Sequence, residues 1–248
     1  MTSKKHWTLR AAGLLFALVL ITSCFVGGTF AKYVTSKSAS DSARVAKFGV
    51  VIEAQDNTAF KTTYATDDAG VRVGANSVDT STTDSLVAPG TKEDNAVILS
   101  ITGEPEVAVH VALSMTGTDV VLKAGTYFDL TTANPIDKFT LTEPYYPVVF
   151  TLKKGSTKLA SGTISDINTK LSALSKDCAP GTDLGAEFGT YTLSWEWAFE
   201  NAGIAKKDQA DTLLGTLATS ATAVPGVGVG NYSPLVHLEL AATVTQID

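Results

Sequence analysis

Cysteine and histidine are scarce in this chain, and most catalytic chemistry is scarce with them. The two cysteines are Cys24 and Cys178. Cys24 falls inside an apolar N-terminal run, so Cys178 stands alone in the remainder and no intramolecular disulfide can staple the fold. The three histidines are His6, His110 and His237. A zinc hydrolase needs two of them one helical turn apart, a glutamate base and a third ligand. The chain has no H-E-x-x-H, and His110 and His237 fall on separate expected strands as surface or boundary residues. Cys178 has no histidine near it in sequence to activate it as a nucleophile. No G-x-S-x-G occurs, and the glycine-rich 226–230 stretch, GVGVG, lacks the lysine and following helix of a phosphate-binding loop. Basic residues run short as well, 19 against 25 acids, for a net charge of −6. With no basic stripe, binding to nucleic acid or anionic lipid is not expected. Nor is any enzymatic activity or cofactor.

What the chain does have begins at its N-terminus. Lys4, Lys5 and Arg10 precede an uncharged apolar run from Ala11 to Val26, the basic and hydrophobic regions of a secretory signal. The small-residue stretch GGTFA closes the run, and cleavage is expected between Ala31 and Lys32. Removing residues 1–31 leaves 217 residues, with 16 bases against 25 acids and a net charge of −9. Two alternatives stay open. The sequence Ile21-Thr22-Ser23-Cys24 has the form of a lipidation site on Cys24. The uncharged 11–31 run, 21 residues and about 30 Å long as a helix, also spans a bilayer if uncleaved.

Residues 32–43 are polar and serine-rich, too poor in apolar residues to fold alone. A strand is expected over 44–55, and a hairpin about Asp67-Asp68-Ala69-Gly70. Further strands follow at 96–102 and 107–115. In the second, Val107, Val109, Val111 and Leu113 share one face. The 146–153 and 157–161 runs flank a Lys154-Gly155-Ser156 turn. A helix is expected over 165–176, capped by Ser165 and striped by Ile167, Leu171 and Leu174. Cys178 then falls in a loop.

The clearest strand is 189–199, where Tyr191, Leu193, Trp195, Trp197 and Phe199 all point one way as a core face. A second short helix is expected over 205–217, and a closing strand over 235–247. Asp208 and Asp211 sit one helical turn apart and are weak candidates for a calcium ion, against helix capping and simple solvation. The expected fold is an all-β sandwich with two short helical inserts, a single domain over residues 44–248.

Three stretches resemble the TasA/camelysin family of secreted bacterial proteins. They are GGTFA with Lys32-Tyr33; LVAPGTKEDNAVILSITGEPEV from Leu86; and the W-x-W, D-x-x-D-T-x-x-G and final T-V-T-Q patterns near the C-terminus. The 116–190 region carries no resemblance. Some relatives are labelled metallopeptidases, an activity for which this chain lacks the histidines. The resemblance implies a jelly roll, processing by a SipW-type signal peptidase, assembly as a homopolymer in the biofilm matrix at the bacterial surface, and accessory matrix proteins as further partners. Strand addition supplies the expected mechanism. Residues 32–43 serve as a donor strand with Tyr33 as its anchor, followed by Val34, Thr35 and Ser36, in the sheet of a neighbour. The alternative is a monomeric surface-binding module held by a lipid or an uncleaved anchor.

Overall fold

Period-two strands build the larger of two compact units, Phe48–Asp248; the other is Met1–Lys47. The computed structural model describes residues 44–55, 59–64, 67–68, 71–72, 78–79, 84–131, 137–198, 205–219, 227 and 230–247. The expected cleavage site at Ala31 and Lys32 lies outside these residues. So do the donor residues Tyr33, Val34, Thr35 and Ser36, and the last aromatic position, Phe199.

The principal elements are β1 (Val50–Gln55), β2 (Lys92–Gly103), β3 (Val109–Thr118), β4 (Gly125–Phe128), β5 (Lys138–Leu141), β6 (Val148–Lys154) and β7 (Thr157–Gly162). They continue with α1 (Ile164–Leu174), β8 (Lys176–Cys178), α2 (Leu184–Glu187), β9 (Gly189–Trp197), α3 (Ala205–Thr219) and β10 (His237–Gln246). One antiparallel sheet has the order β1-β2-β9-β6-β7, and the other β8-β3-β10. Strands β4 and β5 form a separate hairpin. The chain is thus an all-β sandwich with small helical inserts.

Alternation decides which side chains enter the core. On β9, Tyr191, Leu193, Trp195 and Trp197 are buried, and on β3 Val109, Val111, Leu113 and Met115 are. One core cluster joins these two rows with Phe150 and Leu152 of β6 and Leu99 and Ile101 of β2. Trp195 is 2% exposed, and its indole Nε1 donates to the Ala59 carbonyl at 2.7 Å. Phe60 and Tyr64 stack on it at 5.4 and 5.8 Å. The loop that carries them is thereby pinned over one end of the sandwich.

Several boundaries differ from the sequence reading for local reasons. Strand β1 begins at Val50 rather than Arg44, because Gly49 adopts a left-handed φ of 61° that breaks extended pairing. The first helix is capped by Thr163, not Ser165. Thr163 Oγ1 accepts from the Asp166 N–H, and the Asp166 carboxylate accepts from the Thr163 N–H at 2.8 Å. Ser165 is already inside the helix, its carbonyl accepting from Thr169. That helix ends at Leu174, so Lys176–Cys178 is free to pair with β3, and Cys178 is a buried strand residue rather than a loop residue. Burial pushes its thiol pKa up, away from nucleophilic reactivity. The described residues hold three helices, the four-residue α2 being the one not foreseen.

Candidate assembly surface

The two flanks of the sandwich are finished differently. On one flank, α1 packs against β3, β6 and β7, inserting Ile164, Ile167 and Leu171 into the core. Its polar residues also cap the edge of β3 where β8 is too short to pair. Asn168 Oδ1 accepts from the Met115 N–H at 3.0 Å, and Ser175 Oγ accepts from the Leu113 N–H at 2.8 Å. An edge that would otherwise offer unpaired donors is closed by side chains from within the chain.

The opposite flank is open. Here β10 packs on β2, the neighbour of β1, and both β1 and β10 are edge strands. No strand among the described residues pairs with the outer side of either. Their inward side chains are not fully covered. Leu238, Leu240, Ala242 and Val244 of β10 are only partly buried, although Met115, Leu113 and Val111, which face the last three, are buried. Ile52 of β1, opposite the fully buried Ile101, is 40% exposed.

The ladder phase of β10 follows from one hydrogen bond. The Ile247 N–H donates to the Ala108 carbonyl at 2.9 Å, which makes the odd-numbered residues of β10 the ones that bond to β3. The N–H and C=O of Leu238, Leu240, Ala242 and Val244 therefore point outward. The residues with outward backbone groups are the same ones with half-covered apolar side chains. Each edge strand is seated at one end on a glycine. A Cβ on Gly103 (φ 114°) would lie 2.0 Å from the Gly49 carbonyl oxygen, and one on Gly117 (φ 151°) 2.0 Å from that of His237. Close approach, more than turn geometry, requires glycine at both places.

The chemistry-bearing residues named from sequence do not converge. His110 Nδ1 lies 2.6 Å from the exposed carboxylate of its cross-strand neighbour Asp177. His237 pairs with Thr118, eight residues along β3 from His110, about 27 Å at strand spacing. Among the described residues, no group of three His, Cys, Asp or Glu side chains is placed to hold a metal ion. Asp208 is exposed, while Asp211 is partly buried and accepts from Tyr145 Oη at 2.9 Å.

That Asp211 contact seats α3, and sequence reasoning missed it. Ala210, Leu213, Leu214 and Leu217 bury one face of the helix, and Asp211 lies beside that face. Burial raises its carboxyl to about 6, opposed by the Tyr145 hydroxyl, the nearby Trp197 indole and Lys207, and reinforced by Asp208. The Trp197 Nε1 itself is buried outside hydrogen-bond geometry. Two residues earlier, Gln209 donates to Asp129, whose carboxylate also accepts from Thr131 and is held below its ordinary range mainly by that bond.

Fold and surface together define a β-sandwich with one self-capped flank and one flank that is open among the described residues. In comparisons with family models, curated proteins and solved structures, nothing matches this chain.

Proposed function

We propose that the protein is a secreted structural subunit that polymerises head to tail into extracellular matrix fibres by strand addition. The observation that carries this reading is the open flank. Two edge strands that no described strand pairs on their outer side finish it, β10 and, in the sheet whose β2 it packs on, β1, each with half-covered apolar side chains. An added strand would pair with the outward backbone of β10 and cover Leu238, Leu240, Ala242 and Val244. Each neutral backbone bond contributes only about 0.5–1.5 kcal/mol net, and apolar burial adds about 25 cal/mol per Å². Several of each make a firm joint.

The donor is residues 32–43 of the next copy, freed by cleavage after Ala31 and preceding β1 in sequence by residues 44–49. The segment is polar apart from Tyr33 and Val34 and has little to bury by itself, so pairing in a neighbour is its way of becoming ordered. The contact joins two different surfaces, so it repeats without closing and builds a filament. A SipW-type peptidase and accessory matrix proteins are the partners this reading implies. Deleting residues 32–40 from the mature chain tests it. The expected result is a folded monomer that forms no filaments by electron microscopy and sediments as one species. Normal filaments from the deleted protein would refute donor-strand assembly.

A further inference from the structure

A cleft of about 220 Å³ lies on the outer face of the large sheet, whereas β10 belongs to the other sheet. Its apolar walls are Tyr145, Tyr146, Pro147 and Val149, and Glu196 and Lys207 supply its two charges. Val149 and Glu196 are cross-strand partners on β6 and β9, and both turn away from the core because Phe150, Trp195 and Trp197 turn into it. Lys207 comes from the first turn of α3, its ammonium 5.9 Å from the centre of the Tyr145 ring. Tyr146 and Val149 are 39% and 43% exposed, unusual for large apolar side chains on a sheet whose other face is so well buried. The cleft is smaller than the ~300–1,000 Å³ of drug-sized ligand sites, which fits a single ring and excludes a large cofactor.

The sheet surface beside the cleft limits the ligand further. Thr190, Thr192 and Ser194 alternate down the outer face of β9, with Thr151 of β6 among them. Each hydroxyl offers one donor and two acceptor sites, and the single bonds made at Thr190, Thr151 and Ser194 account for only part of that capacity. A ligand matched to this surface has an apolar ring face for Tyr146 and Pro147. It also has hydroxyls that donate to Glu196 and accept from Lys207, and more hydroxyls beyond the cleft. A zwitterionic peptide terminus satisfies the two charges but not the hydroxyl rows.

We propose that this cleft is a carbohydrate site, taking one neutral pyranose unit of a polysaccharide whose next units run along the hydroxyl rows of β9 and β6. The site lies away from the proposed joint and does not depend on polymerisation. The test is retardation of the full chain, at concentrations where it is monomeric, in native gels containing hydroxyethyl cellulose, a β-1,3-glucan, a galactomannan or dextran. At least one polysaccharide should retard the protein. Tyr146→Ala and Glu196→Ala should each weaken the association by about tenfold or more without lowering the melting temperature, while Thr245→Ala on the other sheet leaves it unchanged. No retardation by any of the four, or retardation unchanged in both cleft variants, overturns the proposal. Calorimetric binding of glycyl-tyrosine that Glu196→Ala abolishes, with no polysaccharide retarded, would give the cleft to peptide termini and overturn it too.

Discussion

Replacing Asp211 by asparagine should make the protein more stable at neutral pH, although it removes a hydrogen-bonded carboxylate. The reason is where the carboxylate sits. Asp211 is partly buried against Tyr145, and its carboxyl is pushed from its ordinary value of 3.8 up to about 6, chiefly by loss of water. The native state therefore prefers the protonated acid. A raised native pKa gives stability that is complete below the unfolded pKa and is lost as pH rises through the native one. The window runs from about pH 4 to pH 6, and at ~1.36 kcal/mol per unit the whole effect is about 3 kcal/mol. About two-thirds of that falls between pH 4.5 and 7.5, and water reaching the partly exposed group reduces it to roughly 1–2 kcal/mol. Asparagine keeps the carbonyl oxygen that accepts from Tyr145 and carries no charge to desolvate. Thermal unfolding of both proteins at pH 4.5 and 7.5 is the assay. The variant should match the parent at pH 4.5 and melt about 3–6 °C higher at pH 7.5. Changes in groups remote from Asp211 cancel between the two proteins. Parallel pH profiles would show that Asp211 is not desolvated and that α3 is seated by its apolar face alone.

Two further substitutions probe the rest of the frame. Trp195→Phe keeps the stack with Phe60 and Tyr64 but strands the Ala59 carbonyl, so it should cost roughly 1–3 kcal/mol in urea unfolding and speed proteolysis within 59–64. An unchanged digestion pattern would mean that the loop is held elsewhere. Asn168→Ala removes the acceptor for the Met115 N–H, so it should cost about 1–2 kcal/mol and raise amide exchange at Met115 with little change at Val111.

How much of this was legible in the sequence varied with the range of the interaction. The aromatic row of β9 could be read because Tyr191, Leu193, Trp195 and Trp197 alternate with Thr192, Ser194 and Glu196, and a period of two is a local signal. The hairpin of β6 and β7 likewise announced itself through Lys154-Gly155-Ser156. The cap on α1 was misplaced by two residues because Thr163 and Ser165 are both good caps. Only the spacing to Asp166, three residues on from Thr163, separates them. Strand β8 was split between the end of that helix and the loop after it, since Lys176-Asp177-Cys178 has no alternation of its own and is strand only because β3 is beside it. The open flank is longer-range still. It depends on which strands end up at the edges, and neither β1 nor β10 carries that information in its own sequence. The Asp211 seat and the outer cleft also needed the fold, since they join Tyr145 and Tyr146 to a helix some 60 residues later.

Proline substitutions on β10 separate the proposed joint from the fold itself. Proline removes one backbone N–H and fixes φ near −65°, so its cost in a strand depends on which way the lost N–H pointed. The Thr243 N–H points to β3, where Thr243 pairs with Ala112, whereas the Ala242 N–H points out of the sheet. Thr243→Pro should therefore break the β10–β3 ladder from within. It should lower stability by about 3 kcal/mol or more and disturb assembly only as a consequence of unfolding. Ala242→Pro loses no bond within the subunit, and the side chain it replaces is small and only partly buried. Its folded domain should persist with a modest loss of stability, but the added strand would lose a donor in the middle of its partner edge and meet the pyrrolidine ring there. Sedimentation and electron microscopy of the two purified variants, alongside their melting curves, decide the matter. The reasoning requires Ala242→Pro to be folded and monomeric under conditions where the parent forms filaments. Filaments from a folded Ala242→Pro protein would mean that β10 is not the edge on which copies join, and the acceptor would have to be sought at β1.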